Sequence, residues 1–463
     1  MSGDATKSLT RVEKAVRSKM VSAWNNIKYG RTMFKIELKT SFSESTPVWI
    51  LGKPYHRSKP RQEDESMPKS EIMAFESDFS SRIWFTYRSD LRKFSGTDLT
   101  TDCGWGCMIR TGQMMMAQGL VMHWLGREWR TNKQPADNPT PSPDRQTSVK
   151  DRIHRDILRL FSDVEISSPL SIHNLVRLGR NIGKGAGNWF GPASVAYLMQ
   201  LAVANFQEYQ SLVSNLAVYV AQDCTVYKED IVSMCTVSRV PKETVIQDFA
   251  VLETPTHLDT MQYSFSEEVI VEGESWCFEE GGSLVPDPNW KPLVIFIPVR
   301  LGGERFNPLY SSCLRSLLTL PSSLGWIGGR PTHSLYFLGF QEDDLIHLDP
   351  HRLQPAVDTT GVNFPTHSYH SSAPRKISIS KMDPSCCLGF YIRTRDEFEC
   401  WCQGIEEFAT PSPVEGRSQY PIFSVAQGRG DGVGGRGEEG EWSSLPEETE
   451  TQEDIQSEDF VFL

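Results

Sequence analysis

In Thr101-Asp102-Cys103-Gly104-Trp105-Gly106-Cys107-Met108-Ile109-Arg110, two glycines flank a tryptophan, and an apolar run over 107–125 follows at once and closes at Gly126. The glycines predict a tight turn, and the run predicts a long, mostly buried helix that begins at Cys107. A thiol at that position meets the free N–H groups and the positive dipole end of the helix. With a nearby cation, cysteines so placed fall from about 8.5 to between roughly 3.5 and 7.5 in pKa. The same N–H groups can cradle an oxyanion during acyl transfer. Cysteine is also a commonly buried small residue, so the turn alone leaves a packing role for Cys107 open.

A thiolate nucleophile needs an imidazole, and the imidazole needs an orienting group. Leu345-Ile346-His347-Leu348-Asp349-Pro350-His351 offers both. Residues two apart in an extended segment share a side, so Asp349 and His351 can meet, and Pro350 restricts the freedom of the pair. His347 has the same parity and is a rival base, while Asp-Pro-His merely ending a strand is the plainer alternative. Metal binding competes for the same residue types, but Cys386-Cys387 and Cys400-Trp401-Cys402 lack C-x-x-C spacing, so no metal site is expected. Leu301-Gly302-Gly303-Glu304 and Gly328-Gly329-Arg330 lack the further glycines and lysine of phosphate loops, and are expected to be turns. No cofactor is implied.

Length, composition and charge frame these motifs. At 463 residues the chain can bury a sizeable core, and 39% hydrophobic and 10% aromatic residues exclude a wholly disordered polymer. The net charge of −12 is concentrated at one end, because 438–463 hold ten carboxylates and no Lys or Arg. The remainder is nearly neutral, which gives nucleic-acid binding no broad footprint. Residues 1–40 carry nine Lys/Arg against three acids, with Val12, Val16, Met20 and Trp24 on one helical face. A helix docked on the body or a membrane-surface or targeting helix would both account for it, and transient membrane contact is one expectation. No apolar run reaches the roughly 20 residues of a membrane span, and MSGDATKSLT has no signal-peptide core, so the expected location is cytoplasmic, with the 10 cysteines as thiols.

Residues 52–75 and 131–151 read as loops or insertions. Helices are expected at 107–125, 151–161 and 192–206, and strands at 215–221, 293–299, 334–340 and 345–349, the last two forming an antiparallel hairpin. Helix and strand do not alternate regularly, so the fold class expected is a mixed α/β (α+β) one. The organisation expected is a basic segment over 1–45, a body over 46–407 with variable insertions near 131–151 and 257–290, and a flexible Gly-rich, then acidic tail over 408–463.

TDCGWGCMIRTGQ, SRIWFTYR, GNWFGPASVA, SLYFLGF and LIHLDPHRLQPAV together resemble the autophagins, the autophagy-related cysteine proteases, over about 24–423. SAWNNIKYG, VAQDCTVYK, IPVRLGGE, KMDPSC and SEDFVFL are most similar to the vertebrate D-type members, with the C-type next. The resemblance implies a papain-like fold with a small auxiliary subdomain. It also implies cleavage of ubiquitin-like autophagy modifiers, of the GABARAP and light-chain-three types, after a C-terminal glycine, and release of the same modifiers from phosphatidylethanolamine. By the same resemblance Cys107 is the nucleophile, Asp349 and His351 its partners, Tyr87 an oxyanion donor, and Trp189 the cover over the substrate's glycine tail. His347 stands where relatives often carry tyrosine, which demotes it as a base. Cys103 is a candidate resolving thiol under oxidation. In Ser457-Glu458-Asp459-Phe460-Val461-Phe462-Leu463, Phe460 and Leu463 have the spacing of a peptide that adds a strand to a ubiquitin-like partner and fills two pockets. A binding scaffold with negligible catalysis, holding the modifier by tail and groove, is the alternative function.

Overall fold

The computed structural model describes residues 41–56, 68–131, 148–164, 168–206, 211–237, 289–330, 333–412 and 420–430. The expected N-terminal helix, nearly all of the 131–151 and 257–290 insertions, and the tail motif with Phe460 and Leu463 lie outside these residues. Among the described residues, no helix is long and apolar enough to cross a membrane.

Helices α1 (Pro68–Ser81), α2 (Cys107–Trp124), α3 (Val149–Arg159), α4 (Ile172–Gly179), α5 (Pro192–Phe206), α6 (Lys228–Cys235), α7 (Ser311–Leu318) and α8 (Arg395–Ala409) surround a mixed sheet. Along that sheet the order is β11 (Arg375–Ser378), β9 (Asp344–Leu348), β8 (His333–Gln341), β7 (Ser323–Arg330), β12 (Ser385–Ile392), β6 (Leu293–Arg300) and β4 (Ala217–Val220). Strands β1 (Val48–Ile50) and β2 (Lys53–Tyr55) complete its nine members, β1 pairing with both β2 and β8. Only β4 and β6 run parallel; the other pairings in the sheet are antiparallel.

Helix α2 is apolar on nearly every side because it is buried on nearly every side, from Cys107 through Met122. It packs against β7, β8, β12 and α5. The approach to α5 depends on Gly112, where an added Cβ would lie 2.2 Å from Val195 Cγ1. Helices α3 and α4 begin under side-chain caps, Ser148 accepting from Asp151 N and Ser171 from Asn174 N. Helix α5 runs from Pro192 to Phe206, the bounds its apolar pattern predicts.

Several expectations need correction. The stretch 52–75, read as a loop, contains β2 and the start of α1, because Tyr55 and Phe75 bury apolar rings that its charged surroundings conceal. Gly328 and Gly329 lie within β7 rather than in a turn; an added Cβ at Gly329 would meet His333 O at 2.1 Å, so the neighbouring strand leaves no room for a side chain. Eight of the described cysteines are free thiols.

The fold also continues beyond 408. Phe423 is buried against Trp401 and Phe390, and β13 (Ser424–Ala426) pairs in parallel with β5 (Thr225–Tyr227). Two apolar residues, Ile422 and Phe423, anchor this strap despite the polar, Gly-containing sequence around them. Phe423→Ala is expected to cost about 3–5 kcal/mol, and a chain ending at 410 to unfold at lower urea than one ending at 431; equal midpoints for the two chains would refute an anchored strap.

Candidate active site

The turn ahead of α2 is built around one buried carboxylate. Asp102, 0% exposed, accepts from Arg88 N at 2.7 Å and from Arg110 Nε at 2.6 Å, while its carbonyl accepts from Gly106 N at 2.8 Å. One side chain therefore joins β3 (Tyr87–Ser89), the turn and the first turns of α2. Gly104 takes φ +87, and an added Cβ at Gly106 would lie 2.7 Å from Asp102 Cβ, so both glycines are demanded by the backbone path. Arg110 is shared with Asp163 at 2.8 Å, and the two carboxylates hold its guanidinium charged inside the core. Such a paired charge is strongly destabilising once one partner is removed.

Cys107 emerges from this turn as the first residue of α2, fully buried beside Tyr87 and Cys103, with Trp189 and Leu353 packed on the cluster. The second half of the site arrives from β9. Asp349 and His351 follow Leu348 directly, and Asp349 Oδ1 receives both His351 N at 2.9 Å and His351 Nδ1 at 2.7 Å. Trp84 Nε1 donates to Asp349 O at 2.8 Å, and Tyr87 N donates to Pro350 O at 3.1 Å. Strand β3 then pairs in parallel with β10 (Leu353–Pro355), which pins the segment after β9 beside the segment before the turn. The His351 side chain is hydrogen-bonded to that of Cys107, and the Tyr87 ring meets its imidazole edge-on at 5.4 Å.

Burial pulls the His351 imidazolium down, yet the hydrogen bonds to Asp349 and Cys107 outweigh it and carry the group up to about 9. Burial likewise opposes the Asp349 carboxylate, but the His351 hydrogen bond and charge hold it well below the usual carboxylate range. Its second oxygen receives Arg375 Nη1 at 2.8 Å. Cys103 differs: burial, with the Asp102 charge, pushes its thiol up to about 12, which argues against a reactive resolving thiol. His347 turns away into the core, its ring against Phe337 at 5.9 Å, so parity alone overstated it.

Cys107, His351, Asp349, Tyr87 and Trp189 thus lie together, and one neighbour that sequence reading missed joins them. His333 stacks on His351 with ring centroids 3.5 Å apart and planes within 7°. His333, Asp349 and His351 are also the one group among the described residues whose ligand atoms lie close enough, within 4.8 Å, to suggest a metal. The donor set does not fit one. Stacked rings keep their in-plane lone pairs in two parallel planes that share no point, and both Asp349 oxygens are already engaged.

A thiol, an imidazole and a carboxylate in hydrogen-bonded series can perform nucleophilic acyl transfer. Residues 72–404 match the model of the peptidase C54 catalytic domain. The chain belongs to that family, the autophagins. It is 40% identical over 443 residues to cysteine protease ATG4D of Xenopus laevis, covering 89% of this chain and 82% of that protein. Cysteine protease atg4da of Danio rerio is 36% identical, at 92% and 83% coverage, and human cysteine protease ATG4C 33%, at 89% and 90%. This autophagin therefore has the papain-like fold and is an autophagy-related cysteine protease.

The Asp102 cluster yields a direct expectation. Asp102→Ala should lower stability by about 3–5 kcal/mol, measured by urea unfolding, and should slow alkylation of Cys107 at temperatures where the variant remains folded. Wild-type stability would show that the carboxylate does not organise the turn.

Proposed function

We propose that this autophagin cleaves ubiquitin-like autophagy modifiers of the GABARAP and light-chain-three types after a C-terminal glycine, and releases the same modifiers from phosphatidylethanolamine, as a cytoplasmic enzyme. The observation that carries the chemistry is the hydrogen-bonded Cys107–His351–Asp349 series, assembled from segments more than two hundred positions apart in a C54 chain. In the proposed reaction His351 holds the proton of the Cys107 thiol, and Asp349 fixes the imidazolium. Cys107 Sγ attacks the glycine carbonyl, and the developing oxyanion is met by the Cys107 N–H and the Tyr87 hydroxyl. His351 passes its proton to the leaving amine as the C–N bond breaks, leaving a thioester. Water, deprotonated by His351, then releases the acid and the thiol. The same sequence serves a peptide and the ethanolamine amide of the lipid conjugate, since both present glycine carbonyl carbon bonded to nitrogen. Cys107 is 0% exposed, so the substrate tail must displace part of the packing above it; Trp189 is the partly buried aromatic placed to move.

The tail supplies binding rather than chemistry. Phe460 and Leu463 are proposed to enter two pockets of the modifier as an added strand, and tethering would raise the modifier's concentration near Cys107.

Three measurements test this reading. Cys107→Ala should abolish cleavage of a GABARAP-type precursor, and Tyr87→Phe should lower kcat by about 10²–10³-fold; undiminished turnover in the first would exclude the nucleophile. The alkaline limb of kcat/KM should centre near pH 9, where His351 loses its proton, and Asp349→Asn should move it to lower pH. Because that folded-state pKa lies above the ordinary value of 6.5, the pairing stabilises the fold fully below about pH 6.5 and the contribution fades as pH rises through 9. Deleting 457–463 should weaken modifier binding by about 10²-fold while a small peptide substrate is turned over unchanged; unaltered modifier affinity would refute the tail motif.

A further inference from the structure

The imidazole of His351 is held on three sides, and only two of the holders belong to the reaction just proposed. Asp349 Oδ1 grips Nδ1, Tyr87 meets the ring edge-on, and one face is covered by His333 at 3.5 Å. The contact is built into the sheet. Strands β8 and β9 pair Tyr336 with Leu348, where β9 ends; His333 opens β8 three residues before Tyr336 and His351 follows β9 three residues after Leu348, so both stand at the same end of the strand pair. Ser334, the next residue, is tied to the first turns of α2, its Oγ 2.8 Å from Thr111 Oγ1 and 3.2 Å from Met108 Sδ. The strand end carrying His333 is therefore fixed to the helix that carries Cys107.

We propose that His333 is a positioning residue for catalysis. Its ring keeps the His351 imidazole from rotating away from the Cys107 thiol, and its π face supports the charge of the imidazolium. The face contact leaves the ring edge that meets Cys107 open, so the stack does not compete with proton transfer. A neutral aromatic face over a cationic ring is attractive, and the attraction grows where water is excluded. Side chains that set the charge around the pair are Asp349, which interacts with both His351 and His333, and, through its second oxygen, Arg375; Cys107 and Tyr87 complete the surroundings.

This inference rests on the reading of Cys107 and His351 as the reacting pair, and the experiment separates the two. Full-length wild type, His333→Leu, His333→Phe and Cys107→Ala are compared by precursor cleavage across pH and by iodoacetamide alkylation of Cys107. Leucine keeps the bulk and removes the π face; phenylalanine keeps the face. The expected result is a kcat about three- to tenfold lower in His333→Leu, with KM within about twofold of wild type, an alkaline limb moved to lower pH, and slower alkylation at neutral pH, all restored in His333→Phe. Equal kcat and limb in wild type and His333→Leu would overturn the proposal, as would a phenylalanine variant no better than leucine, or an effect confined to KM, which would make His333 a substrate contact. Activity retained in Cys107→Ala would instead overturn the underlying reading.

Discussion

The two hydrogen bonds made by the His351 imidazole are the constraint on which the site depends. Asp349 accepts one from Nδ1 at 2.7 Å, the Cys107 side chain is hydrogen-bonded to the same ring, and both contacts are buried. In such surroundings a lone charge is costly and a paired one is held. That is why burial alone would lower the imidazolium and yet it rises to about 9. The rest of the architecture can be understood as what keeps three side chains from distant parts of the chain in hydrogen-bonding register.

Two rigid supports meet there. On one side, the buried Asp102 carboxylate locks β3, the glycine turn and α2 into one unit, its charge met by the Arg110 guanidinium that it shares with Asp163. On the other, β9 delivers Asp349 and His351 from the sheet, and the pairing of β10 with β3 joins the two. Neither support is a catalytic group. A change in either would move the thiol relative to the imidazole without removing any reacting atom, and kcat is sensitive to displacements of that size.

Much of this was legible in the sequence for local reasons. A Gly-Trp-Gly turn opening an apolar run fixes where α2 begins and what stands at its first residue. An Asp-Pro-His segment closing an alternating strand fixes which carboxylate serves which imidazole. What escaped depended on pairing across the sheet. Strands β7 and β12 lie on either side of one central ladder and are buried on both faces, so they show no alternation, and Gly325, Gly328, Gly329 and Gly389 further mask them. His333 is hidden for a related reason: the local sequence marks the hairpin of β8 and β9, but the stack of His333 on His351 forms between the start of β8 and the segment beyond β9, which no local pattern shows. The Phe423 strap was hidden by its composition, since two buried residues suffice to hold a stretch otherwise indistinguishable from a tail.

The most direct test of the central claim is the titration of His351 itself, followed through the ring resonances of histidine labelled with 15N in the full-length protein. The account predicts that His351 stays an imidazolium through neutral pH, loses its proton near pH 9, and titrates at lower pH once Cys107 is replaced by alanine. A transition near 6.5 that is the same in both proteins would contradict it, because the thiol and the imidazole would then not share a proton.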